Sequence, residues 1–263
     1  MSDYIVCTPK SLPPSRLISA ARRAVEINPA NHPHTEHLMR ALAGKPPTAQ
    51  RIAILVARRW PTTGVRLTVG FLDHPPQALR KRILAHMNAW AKTANVRFTE
   101  SKTDPQVRIA RLDSPPSMAG YWSYTGTEIL EIDRGDPTLN LEAFTMNTPD
   151  SEFHRVVRHE TGHTLGFPHE HMRRSLVKKI DPAKAIKYFG STQGWSPAEV
   201  RQQVLTPLEE SSILGTAHAD PHSIMCYQIP GFLTKDGKPI IGGTDIDKSD
   251  AQFAGSAYPK KVK

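Results

Sequence analysis

The stretch His159-Glu160-Thr161-Gly162-His163-Thr164-Leu165-Gly166-Phe167-Pro168-His169 decides how the rest of the chain is read. His159 and His163 are four positions apart, so on a helix their rings leave one face a turn apart and can share a metal ion. Glu160 lies roughly 100° around the helix from His159, where its carboxylate can reach a water beside the metal without being a ligand. Gly166 can take a positive φ, so the chain can turn sharply out of the helix and bring His169 back as a third nitrogen ligand. Three histidines with one open position form the donor set that makes water nucleophilic near neutral pH. A surface helix with merely polar histidines is the plain alternative, and the added glycine and third histidine make it the weaker one. Gly162, inside the same helix, costs about 1 kcal/mol relative to alanine, and the sequence offers no reason for it.

Working outward, the helix is predicted from about Pro149 to Leu165, with Thr148 as its cap and Pro149 at the first helical position. Upstream, from Arg51, strands alternate with helices. Ile52 to Val56 is a short apolar run, and Val65, Leu67, Val69 and Phe71 alternate as in a half-buried strand. Pro75-Pro76 opens a helix with Leu79, Ile83, Met87 and Trp90 on its buried stripe. Val96 with Phe98, and Val107 with Ile109, mark two further strands. Gly120 to Tyr124 and Glu128 to Ile132 read as a strand pair joined through Gly126. Downstream, helices are expected near Asp181–Tyr188 and Pro197–Val204. Residues 1–50 differ: Pro-rich pieces flank a short helix from Ser15 to Ile27, with too little apolar area to fold alone. They are expected to form an N-terminal extension, pro-segment-like or regulatory, lying on a catalytic domain of residues 51–263.

The chain has 263 residues, 38% hydrophobic and 22% charged, enough for a real core and unlike a disordered chain. Its formal charge of +9 comes from scattered lysines and arginines with no nucleic-acid-binding signature beside them. No nucleic-acid partner is expected. No apolar run reaches the ~18 residues of a membrane span, so no membrane partner is expected either. Residues 1–14 lack the basic and apolar regions of a secretory signal. Compartment therefore reads as cytoplasmic at face value, with leaderless export or a trimmed chain as alternatives. The two cysteines, Cys7 and Cys226, allow at most one disulfide.

The motif H-E-x-x-H-x-x-G-x-x-H resembles the zinc site of the metzincin metallopeptidases. The longer string from Gly166 through Glu170 to Arg173 is similar to the astacin branch. Two further segments agree: Ser223-Ile224-Met225-Cys226-Tyr227 resembles the astacin Met-turn, and Trp122-Ser123-Tyr124-Thr125-Gly126 resembles its W-S-Y-x-G segment. The chain departs from that pattern at Cys226, where astacins carry histidine, at Arg174-Ser175-Leu176 after the motif arginine, and in lacking the cysteines for the usual disulfides.

The resemblance implies an α+β, metzincin-like fold. A mixed twisted sheet with two long helices would stand over an irregular C-terminal subdomain, with zinc in the cleft between them. It implies a zinc-dependent endopeptidase acting on protein or peptide substrates, expected to be monomeric, with one catalytic Zn2+. His159, His163 and His169 would bind that zinc, Glu160 would be the general base, and Met225 would form the floor beneath the metal. Tyr227 would approach the zinc at rest and stabilise the oxyanion during reaction. Trp122, Ser123 and Tyr124 would lie at the edge strand that pairs an extended substrate, and Glu170 would contact an activated N-terminus. A catalytically silent peptide-binding module on the same fold is the alternative function. Cys7 adds a separate expectation: a thiolate is a good zinc ligand, so Cys7 at the open position would hold the enzyme latent. An ordinary buried or surface cysteine, or a Cys7–Cys226 disulfide, are the competing outcomes.

Overall fold

The computed structural model describes residues 7–8, 10–33, 56–207 and 219–260. Five strands form one mixed sheet: β1 (Val65–Phe71), β2 (Val96–Glu100), β3 (Val107–Ala110), β4 (Tyr121–Ser123) and β5 (Leu139–Leu141), in the spatial order β2-β1-β3-β5-β4. The first four positions in that order run parallel; β4 alone is antiparallel, pairing Tyr121 with Leu141 and Ser123 with Leu139. β4 is thus the edge strand. The alternation in β1 buries Val65, Leu67, Val69 and Phe71 as its sequence requires.

The helix expected after Pro75-Pro76 is α2 (Gln77–Met87), continued by a 3-10 turn (Asn88–Lys92), and Leu79, Ile83, Met87 and Trp90 are all buried. It packs on the helix that carries the motif histidines, whose regular part is α3 (Arg158–Thr164). A helical turn (Asp150–Glu152) and a π-helical turn (Phe153–Val157) lead into α3. Pro149 is the N-cap and not the first helical residue, because the Thr148 hydroxyl is taken by the backbone N–H of Thr145 at 2.9 Å.

The second predicted strand of the pair through Gly126 does not form. Gly126–Glu131 is a 3-10 helix, and the partner of β4 is β5. Gly126 takes φ +52°, and the carbonyls that would have built a ladder face the N-terminal helix α1 (Leu17–Ile27) and the residue preceding it. Arg23 donates to Leu130 O at 2.9 Å, and Arg16 donates to Glu131 O. The expected downstream helices appear as α4 (Pro182–Gln193), and as Pro197–Val200 followed by a π turn (Arg201–Leu205). A final helix, α5 (Lys248–Ala257), has no counterpart among the sequence expectations, although Asp247 and Asp250 form its capping box. Ile52 to Leu55, and the boundary at residues 50 and 51, lie outside the described residues.

Two apolar clusters result. The larger lies against the sheet and includes α2, Phe153, Val157, Phe167 and Met225; the smaller, in the C-terminal half, includes Phe189, Ile229, Leu233, Tyr227 and Cys7. The Met-turn crosses from one to the other between Met225 and Cys226. The histidines of the motif sit at that seam.

Candidate metal centre

The sequence carries the chain out of α3 as the glycine spacing requires. Gly166 has φ +91°, its N–H returns to His163 O at 2.8 Å, and the Phe167 N–H returns to Gly162 O at 3.0 Å. A Cβ there would press on Arg58 O at 3.0 Å. Side chains from elsewhere satisfy the helix's late carbonyls: Trp60 Nε1 donates to Thr164 O at 2.8 Å, and the Tyr258 hydroxyl donates to Leu165 O.

Three imidazoles then converge. His169 Nε2 lies 3.2 Å from His159 Nε2 and 3.0 Å from His163 Nε2. On the other side of each helical ring, His159 Nδ1–H donates to Ile224 O at 2.6 Å and His163 Nδ1–H to Phe167 O at 2.8 Å. These bonds fix the protons on Nδ1 and leave the Nε2 lone pairs facing one another. Burial pushes His163 down to about 4 and holds His159 and His169 well below the usual range, so the rings are neutral. Buried lone pairs in mutual contact call for a cation, and three neutral imidazoles suit zinc. The residues fit the metal.

Glu160 is 1% exposed beside this cluster. Burial pushes its carboxyl up to about 8, against the lowering effects of the Cys7 hydrogen bond and the Arg155 charge. The Cys7 thiol donates to Glu160 Oε2 at 3.5 Å, and its sulfur and the three histidine nitrogens all lie within 4.8 Å of one another. Burial, then the Glu160 charge, raises the thiol's own pKa. Cys7 and Cys226 are both buried and free, so the disulfide alternative is not formed.

The Met-turn meets α3 from below. A Cβ on Gly162 would overlap Met225 Sδ and lie 3.1 Å from its Cε and 3.3 Å from Trp90. That is the reason for glycine inside the helix. Tyr227 stacks on buried His171, with ring centroids 4.0 Å apart, and its hydroxyl donates to the Cys7 carbonyl. Glu170 accepts from the Asp220 backbone N–H at 3.1 Å and lies 3.7 Å from Arg173.

At the edge strand, Trp122 and Ser123 point into the protein. Trp122 is fully buried with Nε1 donating to Met118 O, and the Ser123 hydroxyl sits 3.1 Å from that of Thr164. Tyr124 is half-buried and its N–H donates to Thr138 O. The outward-facing backbone of the edge strand is met at Tyr121, whose carbonyl accepts from Thr8 N–H at 2.8 Å. Sequence reasoning misses Tyr121 because a strand pattern shows which side chains are buried, not which carbonyl faces away from the sheet. Lys10 continues this N-terminal run, its ammonium 4.7 Å from the centroid of the Trp122 ring.

The profile of the astacin peptidase family matches residues 54–247, well over half of the sequence. The chain belongs to the astacin family of zinc metallopeptidases. It is 26% identical over 171 residues to zinc metalloproteinase nas-27 of Caenorhabditis elegans, a match covering 65% of this chain and 35% of that protein. The chain thus spans about a third of that curated relative. Two solved structures of myroilysin are 29% identical: one superposes with a TM-score of 0.71 over 78% of this chain and 97% of its own, the other with 0.58 over 77% and 86%. The mixed five-stranded sheet and the helices are those of this α+β peptidase fold.

Proposed function

We propose that the chain is a zinc-dependent endopeptidase in which His159, His163 and His169 hold the single catalytic zinc and Glu160 is the general base. One observation carries this reading: three neutral, buried Nε2 atoms converge, His169 within 3.2 Å of the other two, while backbone carbonyls fix the far nitrogens of His159 and His163. Bound there, zinc supplies Lewis-acid polarisation of the scissile carbonyl and lowers the pKa of an attacking water. Glu160, on the same helix turn but outside the ligand set, takes that water's proton and returns it to the leaving amine. The Tyr227 hydroxyl donates to the oxyanion that develops on the substrate carbonyl. The β4 edge holds the substrate backbone through the Tyr121 carbonyl.

In the same reading, the segment around Cys7 keeps the enzyme latent. It is supported by three contacts, each in the position a substrate would use. Thr8 pairs with Tyr121 at the sheet edge, the Cys7 carbonyl occupies the Tyr227 hydroxyl, and the Cys7 sulfur stands beside the histidine nitrogens and Glu160. Farther along, Arg16 pairs with Asp133 at 2.8 Å and Arg23 with Glu131 at 3.2 Å, holding α1 on the catalytic half. The Arg16–Asp133 pair is largely exposed and worth little by itself, while Glu131 in the second pair is mostly buried and also accepts from Ser19 at 2.9 Å. Release therefore needs cleavage or displacement of the extension.

The test compares the full chain, Cys7→Ser and a chain starting near residue 51, all zinc-loaded, on one unstructured protein substrate. Cleavage that a chelator stops and zinc restores is the expected result, with latency lifted in both altered proteins. Absence of zinc-dependent cleavage in all three rejects the peptidase reading. Equal activity in all three, with Cys7 freely alkylated, rejects the latency reading alone.

A further inference from the structure

A second group of metal-ligating side chains lies apart from the three-histidine centre. His86 from the last turn of α2, Asp150 and His154 bring one donor atom each to within 4.8 Å of one another. His86 Nε2 is 3.5 Å from Asp150 Oδ1, and His154 Nε2 is 3.3 Å from Asp150 Oδ2. The donors of tetrahedral zinc, with bonds of about 2.0–2.1 Å, stand roughly 3.3–3.4 Å apart. The two carboxylate oxygens each lie near that distance from one imidazole nitrogen, and a small rotation of the exposed Asp150 carboxylate would bring one oxygen into the set. We propose that His86, Asp150 and His154 form a second divalent-cation site, with a donor set that suits zinc, that staples α2 to the start of the helical run carrying the motif histidines.

Three features support it. Asp245 Oδ2 lies 2.8 Å from His154 Nδ1. This is the carboxylate–imidazole pairing that fixes the proton on Nδ1 and leaves Nε2 as a lone pair. His86 is mostly buried, and its Nδ1 has no hydrogen-bond partner among the described residues, so its polar interactions lie on the Nε2 side. Burial, then the Arg158 charge, lowers its pKa and keeps the ring neutral and able to ligate. Asp150 is 65% exposed, which leaves the remaining coordination positions open to water.

Two guanidinium groups compete for this place. Arg82 Nη2 is 3.1 Å from Asp150 Oδ1, and Arg158 Nη2 is 3.3 Å from His154 Nε2. Each has other partners to retain: Arg82 donates to Met146 O at 3.1 Å and lies over the Phe153 ring, while Arg158 pairs closely with Asp245. A cation can therefore take Asp150 and His154 without stranding either arginine, though with lower affinity than at three buried histidines. His154 is five residues before His159 on one continuous helical run. Occupancy would stiffen the support of the catalytic histidines without touching them.

The experiment is equilibrium dialysis of the full chain, Asp150→Asn and His154→Ala against buffered free zinc, with elemental analysis and thermal unfolding of each. Asp150 is exposed, so its variant tests the site without disturbing the core. The expected result is one zinc equivalent more in the parent chain than in either variant, with a zinc-dependent rise in Tm that both variants lack. With Cys7→Ser as background, so that latency does not mask turnover, peptide cleavage at low free zinc stays unchanged in the variants. Equal zinc content and equal Tm shifts in all three proteins would overturn the site. Because the readout is a difference at residues outside the three-histidine centre, it stands or falls separately from the peptidase reading.

Discussion

Met225 occupies the space that a side chain on Gly162 would need. The methionine sulfur lies directly under the helix at that position, and both residues are buried beside Trp90 and the motif histidines. A helix-interior glycine, unfavourable by about 1 kcal/mol relative to alanine, is thus the condition for the Met-turn to close against α3.

Gly162→Ala should therefore destabilise the fold although alanine is the better helix former. Overpacking a core typically costs about 1–3 kcal/mol, which exceeds the gain in propensity. The expected net loss is about 1 kcal/mol, with weaker zinc retention because Ile224, beside Met225, carries the acceptor for His159. Urea unfolding checks the first part and chelator competition the second. An alanine variant more stable than the parent would show that Met225 yields freely.

Glu160→Gln separates metal holding from proton transfer. Its carboxylate is outside the ligand set, so the variant should bind zinc as the parent does while kcat falls by about 10³-fold or more. Zinc content and turnover are measured on the same preparation, with Cys7→Ser as background so that latency does not mask the loss. Near-normal turnover in a zinc-replete variant sinks the mechanism.

Tyr227→Phe removes a hydroxyl with two tasks in this reading. With Cys7 replaced by serine, kcat should drop by about 10²-fold with little change in KM. In the full latent chain, the same change removes the bond to the Cys7 carbonyl, so the Cys7 thiol should react faster with an alkylating reagent. A rate left untouched in the first background, or zinc lost in either, makes the tyrosine structural.

The convergence of His159, His163 and His169 is legible in the sequence because it is compressed into eleven residues with one fixed turn at Gly166. The β1 alternation and the α2 stripe are legible for the same reason: burial periodicity is local. What stays hidden depends on non-local packing. Gly162 makes sense only with Met225 beneath it, and Glu128 to Ile132 reads as a strand because nothing local announces that α1 and its arginines claim those carbonyls. The motif points to the edge strand through Trp122, Ser123 and Tyr124. Trp122 and Ser123 do lie on that strand with their side chains inward, and the outward Tyr121 carbonyl, met by Thr8, is not legible in the motif.

Asp250 is the last case, and here the sign of a pH effect can be worked out. Its carboxylate accepts from the Ser223 hydroxyl at 2.6 Å, from Ile224 N–H at 2.8 Å and from Asp247 N–H at 3.1 Å. It thereby holds the Met-turn whose Ile224 carbonyl orients His159. Burial nevertheless pushes its pKa up to about 6, against roughly 3.9 in an unfolded chain. Between those values the folded state holds a proton that the unfolded state has released. The contribution of this group to stability is therefore complete below about pH 4 and declines as pH rises through about 6. Asp250→Asn should remove that component of the pH dependence, seen as a smaller fall in unfolding free energy between about pH 4 and 6 than in the parent. The asparagine oxygen can keep both backbone N–H groups. Its NH2 then faces the Ser223 hydroxyl, which loses its acceptor while it already accepts from Met225 N–H. The Met-turn loosens, and zinc affinity should weaken by about 10-fold or more, as for other groups that orient a ligating histidine. Parallel stability profiles for the two proteins, together with unchanged zinc affinity, would show that Asp250 caps α5 and has no hold on the metal centre.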